Sequence, residues 1–193
     1  MTSRVLAILL ALLAAAAPAS AHVLPEPGAG FAQGLAHPFS GLDHLLAMMI
    51  VGAWAAQLGG RAMLWVPVAF VGSMCLGGAV RYAWPGPSHE IAVAASVALL
   101  GGFVAFAFRP SVTIAAALVG LLAVAHGHAH AVELPAAASP LGFSAGFVIA
   151  TAMLHGVGLG MGRFARSRAA WLWLRGACAG ASLLGLALVV ARW

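Results

Sequence analysis

The chain has 193 residues, 63% hydrophobic and only 7% charged, with a mean hydropathy of +1.04. Water-soluble domains carry roughly 25% charged residues, so this composition excludes them and points to an all-α integral membrane protein of one domain. The sequence pI of 11.1 does not imply a nucleic-acid partner, because all nine basic residues are arginines placed between apolar segments; that is the distribution of membrane orientation, not of a phosphate-binding patch.

Residues 1–21 read as a secretory signal peptide. Arg4 supplies the positive start, an apolar core follows, and Ala19-Ser20-Ala21 offers a small-residue cleavage site. The core is too short for the roughly 20 residues that a spanning helix needs. Cleavage would leave a domain over 22–193 that begins with His22 outside the cytoplasm. Residues 22–36 hold Pro25, Pro27, Gly28, Gly30 and Gly34, and read as an extended entry segment.

Six spanning helices are expected, at about 38–58, 62–82, 88–108, 111–134, 141–162 and 170–191. Ser88 is the expected N-cap of the third, with Glu90 in its first turn, where a carboxylate suits the helix dipole. With the mature N-terminus outside, the cytoplasmic loops hold Arg61, Arg109, Arg163, Arg166 and Arg168, with Arg175 close by; the outer side holds only Arg81 and Arg192. The positive-inside rule therefore agrees with the leader. The predicted location is a bacterial cytoplasmic membrane crossed several times.

All four acids, Glu26, Asp43, Glu90 and Glu133, then fall on the outer side. So do His22, His37, His44, His89, His126, His128 and His130. Only His155 lies deep, roughly 20 Å along its helix at 1.5 Å per residue. An outer half with acids and imidazoles attracts cations.

Ionisable groups within apolar helices are costly and mark function when partners can be named. The first helix opens with His37, then Asp43 and His44. Asp43 can orient an imidazole by accepting its second N–H, or can ligate directly. Met48, on the same face as His44, reads as core filler. In the fourth helix His126, His130 and Glu133 share one face at i, i+4 and i+7. Two histidines at i, i+4 have workable metal-ligand spacing. His128 points roughly the opposite way. His89 and Glu90 begin the third helix at the same level. His155 sits among small residues, either packed as a core histidine or acting as a deeper relay ligand. Cys75 and Cys178 read as small core residues.

Imidazole and carboxylate without a thiolate cluster suit Ni²⁺, Co²⁺ or Zn²⁺. Weak sites in series serve transport better than a closed cage. No GxxxxGK[ST] or HExxH pattern occurs, so import without ATP and without catalysis is expected. Two other readings stay open. His44 and His130 on facing helices could ligate a b-type haem, or the protein could hold metal as a sensor or assembly partner without passing it.

The sequence resembles the HupE/UreJ family. The resemblance is carried by the leader, by His37-Pro38 running to Asp43-His44 and on into Leu45-Leu46-Ala47-Met48 and Val51-Gly52, by His126-Gly127-His128-Ala129-His130 with Glu133, and by His155-Gly156. It implies a membrane protein that brings nickel, or cobalt, inward for hydrogenase or urease maturation, with no permanently bound cofactor. Partners would be the lipid bilayer, the metal ion, and cytoplasmic nickel chaperones or maturation proteins. The metal-pathway candidates it implies are His37, Asp43, His44, His126, His130 and Glu133, then Glu90 and His155.

Overall fold

The computed structural model describes residues 29–79, 89–132 and 139–193. Among them every regular element is helical. In chain order these are α1 (Ala29–Ala36), a 3₁₀ turn (His37–Phe39), α2 (Leu42–Leu58), α3 (Ala62–Ala79), α4 (His89–Ala105), α5 (Val112–Val132), α6 (Pro140–Phe164) and α7 (Arg168–Arg192). Helices α3, α5, α6 and α7 are long and apolar enough to cross a membrane. The pair α1 and α2 forms a fifth candidate span bent by 80°. Helix α4 is apolar but shorter. The signal-peptide segment, with His22, and the Ser88 cap lie outside the described residues, as does Glu133.

The described part of the expected entry segment is helical rather than extended. Gly34 in this segment and Gly146 of α6 are crossing points between α1 and α6. A methyl at Gly34 would overlap the Phe143 carbonyl, and one at Gly146 the Phe31 carbonyl. The first expected span also divides. Pro38 lies in the 3₁₀ turn, and Gly41 is extended at φ −122° and ψ 126°, so α2 starts only at Leu42. Proline lacks the N–H that would continue a helix through this point.

The same reciprocal glycine device joins the other main pairs. Gly52 and Gly158 bring α2 against α6, Gly77 and Gly127 bring α3 against α5, and Gly101 and Gly185 bring α4 against α7. Small residues let helix backbones approach closely where lipid provides no hydrophobic drive for association. Helix α2 is central, packing on α3, α4 and α6. Its buried Met48, Val51 and Trp54 fill the core with Phe70 of α3 and Leu154 of α6. Met48 is fully buried there, and Cys178 is buried too, whereas Cys75 is exposed.

The helices alternate in direction, which gives the bundle two chemically distinct ends. Arg163 Nη1 reaches Met63 Sδ at 3.6 Å at one end, where Arg61, Arg166 and Arg168 also lie. At the other end Arg192 reaches Asp43 at 2.9 Å.

Candidate metal centre

The bend before α2 places His37 and His44 side by side. The 3₁₀ turn holds His37, and Ser40 Oγ donates to the His37 carbonyl at 2.6 Å. One turn of α5 separates His126 from His130 and keeps both on one face. Helix α5 packs chiefly on α3, yet its histidines reach α2. The ring centroids of His44 and His130 lie 4.5 Å apart, those of His44 and His126 5.6 Å, and those of His37 and His130 5.0 Å. His44, His126 and His130 each offer a ring nitrogen, and these nitrogens lie within 4.8 Å of one another.

The surrounding hydrogen bonds select which nitrogen is offered. His44 Nδ1 lies 2.9 Å from Asp43 Oδ1, and the same oxygen accepts from the His44 backbone N–H at 2.9 Å. An ionised carboxylate only accepts, so Nδ1 carries a proton, and in the neutral imidazole Nε2 is the nitrogen with the free lone pair. Nε2 is buried and makes no hydrogen bond among the described residues. His126 is governed from α4. Ser96 Oγ donates its one proton to the Val93 carbonyl at 2.7 Å and therefore accepts from His126 Nε2 at 2.6 Å. His126 Nδ1 is left with a lone pair, fully buried and without a hydrogen bond among the described residues. Two imidazoles are thus each oriented by a partner behind them, the usual support for a metal-ligating histidine. His130 packs against His44, with its ring 4.0 Å from that of Phe147.

Asp43 takes part through both of its carboxylate oxygens. Its Oδ1 engages His44, and its Oδ2 accepts from Arg192 Nη1 at 2.9 Å. Both oxygens accept hydrogen bonds, and the one from His44 Nδ1 orients that ring. Beside it lies a cavity of about 190 Å³ bordered by His37, Asp43, His44, Glu90 and Arg192. Glu90 is exposed at its rim.

His128 and His155 are not among the three clustered imidazoles. His128 is buried, on a different face of α5 from the cluster. His89 is the first residue of α4. His155 lies deeper, with its ring 5.0 Å from Phe70, whose other neighbour is His126 at 5.5 Å. Phe70 therefore stands between the cluster and His155. Both His155 nitrogens and the Thr151 hydroxyl are buried without hydrogen bonds among the described residues.

Sequence reasoning did not single out three participants. Ser96 is the sole polar side chain in the apolar run of α4, which was its available signal. Arg192 stood out only as a basic residue on the acid-rich side. Phe70 gave no local signal, since one aromatic in an apolar helix is ordinary core.

The HupE / UreJ protein family model matches residues 10–188. The chain belongs to the HupE/UreJ family. Among curated relatives, Protein HupE of Rhizobium leguminosarum bv. viciae is 43% identical over 182 residues, covering 94% of this chain and 95% of that protein. No solved structure matches. The family match spans every element that builds the histidine cluster, from α1 to most of α7.

Proposed function

We propose that this HupE/UreJ protein imports a divalent transition-metal ion, nickel in the first place and cobalt as the alternative, for hydrogenase or urease maturation. The supporting observation is the convergence of His44, His126 and His130 from two helices, with ring nitrogens within 4.8 Å of one another. Three imidazoles form a site of borderline softness and leave coordination positions open, so an ion can be handed on.

In this reading the ion enters by the cavity at His37 and Glu90, binds the three imidazoles, and passes Phe70 to reach His155 and Thr151. Glu133 belongs to the same pathway on the sequence argument alone. The leader is cleaved, six spans cross a bacterial cytoplasmic membrane, and the histidine end faces the periplasm. An inward-negative potential of 100 mV favours entry of a divalent ion by about 4–5 kcal/mol, so import proceeds as secondary or facilitated transport without catalysis. Delivery would be to cytoplasmic nickel chaperones or maturation proteins.

Uptake of ⁶³Ni²⁺ by cells or vesicles that hold the protein is the direct test. No protein-dependent uptake, with the chain confirmed in the membrane, overturns the proposal.

A second reading, in which the protein holds metal without passing it, draws support from the Phe70 ring between the cluster and His155. His155→Ala separates the two. Under transport, uptake falls while metal binding at the cluster persists. Under holding, neither function changes. The haem alternative gains no such support, because the rings of His37, His44, His130 and Phe147 fill the space a porphyrin would need between axial imidazoles.

A further inference from the structure

We propose that Arg192 is the tethered counter-ion of the metal-pathway mouth: its guanidinium holds Asp43 and Glu90 together until a divalent cation displaces it. This rests on the metal-import reading and adds to it a device that sets how tightly the ion is held.

Arg192 is the last residue of α7, a helix that otherwise serves packing against α4. There Ser182 Oγ donates to the Ala98 carbonyl at 2.6 Å, and Gly185 admits the α4 backbone. At its end the helix sends a guanidinium across to α2. Nη1 donates to Asp43 Oδ2 at 2.9 Å and to the Glu90 carbonyl at 3.1 Å, while Nε lies 3.5 Å from Glu90 Oε2. The Asp43 carboxylate is buried, whereas Glu90 is exposed. The first contact therefore carries most of the interaction, since exposed ion pairs contribute little.

The position of Asp43 makes this more than a helix anchor. Its other oxygen fixes the tautomer of His44, one of the three clustered imidazoles. Arg192 thus acts on a candidate ligand through a single carboxylate. It also borders the same cavity as His44 and Glu90. Without the guanidinium, two carboxylates would face an entering cation; with it, one of those charges is balanced. A cation at His44 is repelled by Arg192 and attracted by Asp43, so metal entry and the Asp43–Arg192 contact compete. Guanidinium stays charged at any physiological pH. Its hold is therefore relieved by displacement, not by proton loss. The consequence is weaker binding and easier onward release, which suits a carrier and would harm a storage site.

The test is Co²⁺ titration of the purified full-length protein, followed by visible absorbance, with ⁶³Ni²⁺ uptake measured in parallel. Arg192→Met should bind Co²⁺ about fivefold more tightly than wild type, lower the KM for uptake, and reduce the maximal rate because release slows. Adding Asp43→Asn should remove the gain, since the effect runs through that carboxylate. Binding by Arg192→Met equal to or weaker than wild type overturns the proposal and makes Arg192 a positioning residue for Asp43. If Arg192→Met does not fold, Arg192→Gln decides: its amide can still donate to Asp43 but carries no charge, so tighter binding is again expected, and unchanged or weaker binding overturns the proposal. Failure of wild type itself to bind or import metal refutes the import reading instead, and this inference falls with it.

Discussion

Both ends of the bundle bury polar side chains among apolar helices, but they use them differently. At the arginine-rich end, Trp54 Nε1 donates to the Phe108 carbonyl at 3.0 Å, Gln57 Nε2 to the Val104 carbonyl at 3.1 Å, and Arg175 Nε to the Ala105 carbonyl at 2.8 Å. Gln57 and Arg175 thereby satisfy carbonyls in the last turn of α4, groups that a helix cannot satisfy from within, and Trp54 satisfies one just beyond it. At the histidine end, His44 Nε2 and His126 Nδ1 are buried with their lone pairs uncommitted, while their opposite nitrogens are fixed by Asp43 and Ser96. Polar groups that hold the fold have their donors engaged by backbone. The histidines keep a nitrogen aimed at one another, an arrangement that costs stability unless something else fills the gap.

That contrast can be broken most directly at the cluster. His44→Ala removes one of three converging nitrogens and should reduce metal uptake by at least about 100-fold, beyond the range typical of groups behind a ligand. The folded fraction should stay near wild type by size-exclusion chromatography. Retained uptake would show that the cluster is a packing feature like the opposite end.

The next effect is that of the partner behind the ligand. Asp43→Asn keeps the shape but loses the charge that holds His44 Nδ1–H, and should cost about 10- to 100-fold in metal affinity, measured by Co²⁺ titration. Ser96→Ala acts on His126 in the same way through a neutral hydroxyl. Its expected cost is about tenfold, at the lower end of that range. Equal affinity for Ser96→Ala and wild type would detach Ser96 from the site.

The smallest effect on transport should come from the other end. Trp54→Phe removes one donor to the Phe108 carbonyl and should lower thermal stability by about 1–2 kcal/mol, while uptake per folded molecule stays unchanged. A loss of uptake exceeding the loss of folded protein would extend the pathway through the arginine-rich end and erase the contrast.

Much of the site was legible because helical spacing is local. His126 and His130 share a face at i, i+4 in any helix, and the dense run from His37 to His44 announced itself in an apolar chain. The glycines were legible as residues but not in their role. Gly30 and Gly34 contributed to the reading of an extended segment, and only the backbone of Ser139 and Phe143 beside them shows why a helix there needs them. Glu90 carried both a dipole and a pathway reading; the guanidinium beside it comes from a residue with no local link to it.

The sequence by itself determined the membrane class, the apolar segments, the family, and the separation of imidazoles and acids from most arginines. These follow from composition and from periodicities of a few residues, which each segment carries alone. Tertiary structure decided that α5 lends its histidines to α2, that Ser96 and Asp43 choose which nitrogens are offered, and that Arg192 closes on Asp43 from 149 positions away. Such contacts depend on the order in which helices pack at their glycine crossings, and that order is a property of the assembled bundle rather than of any one segment.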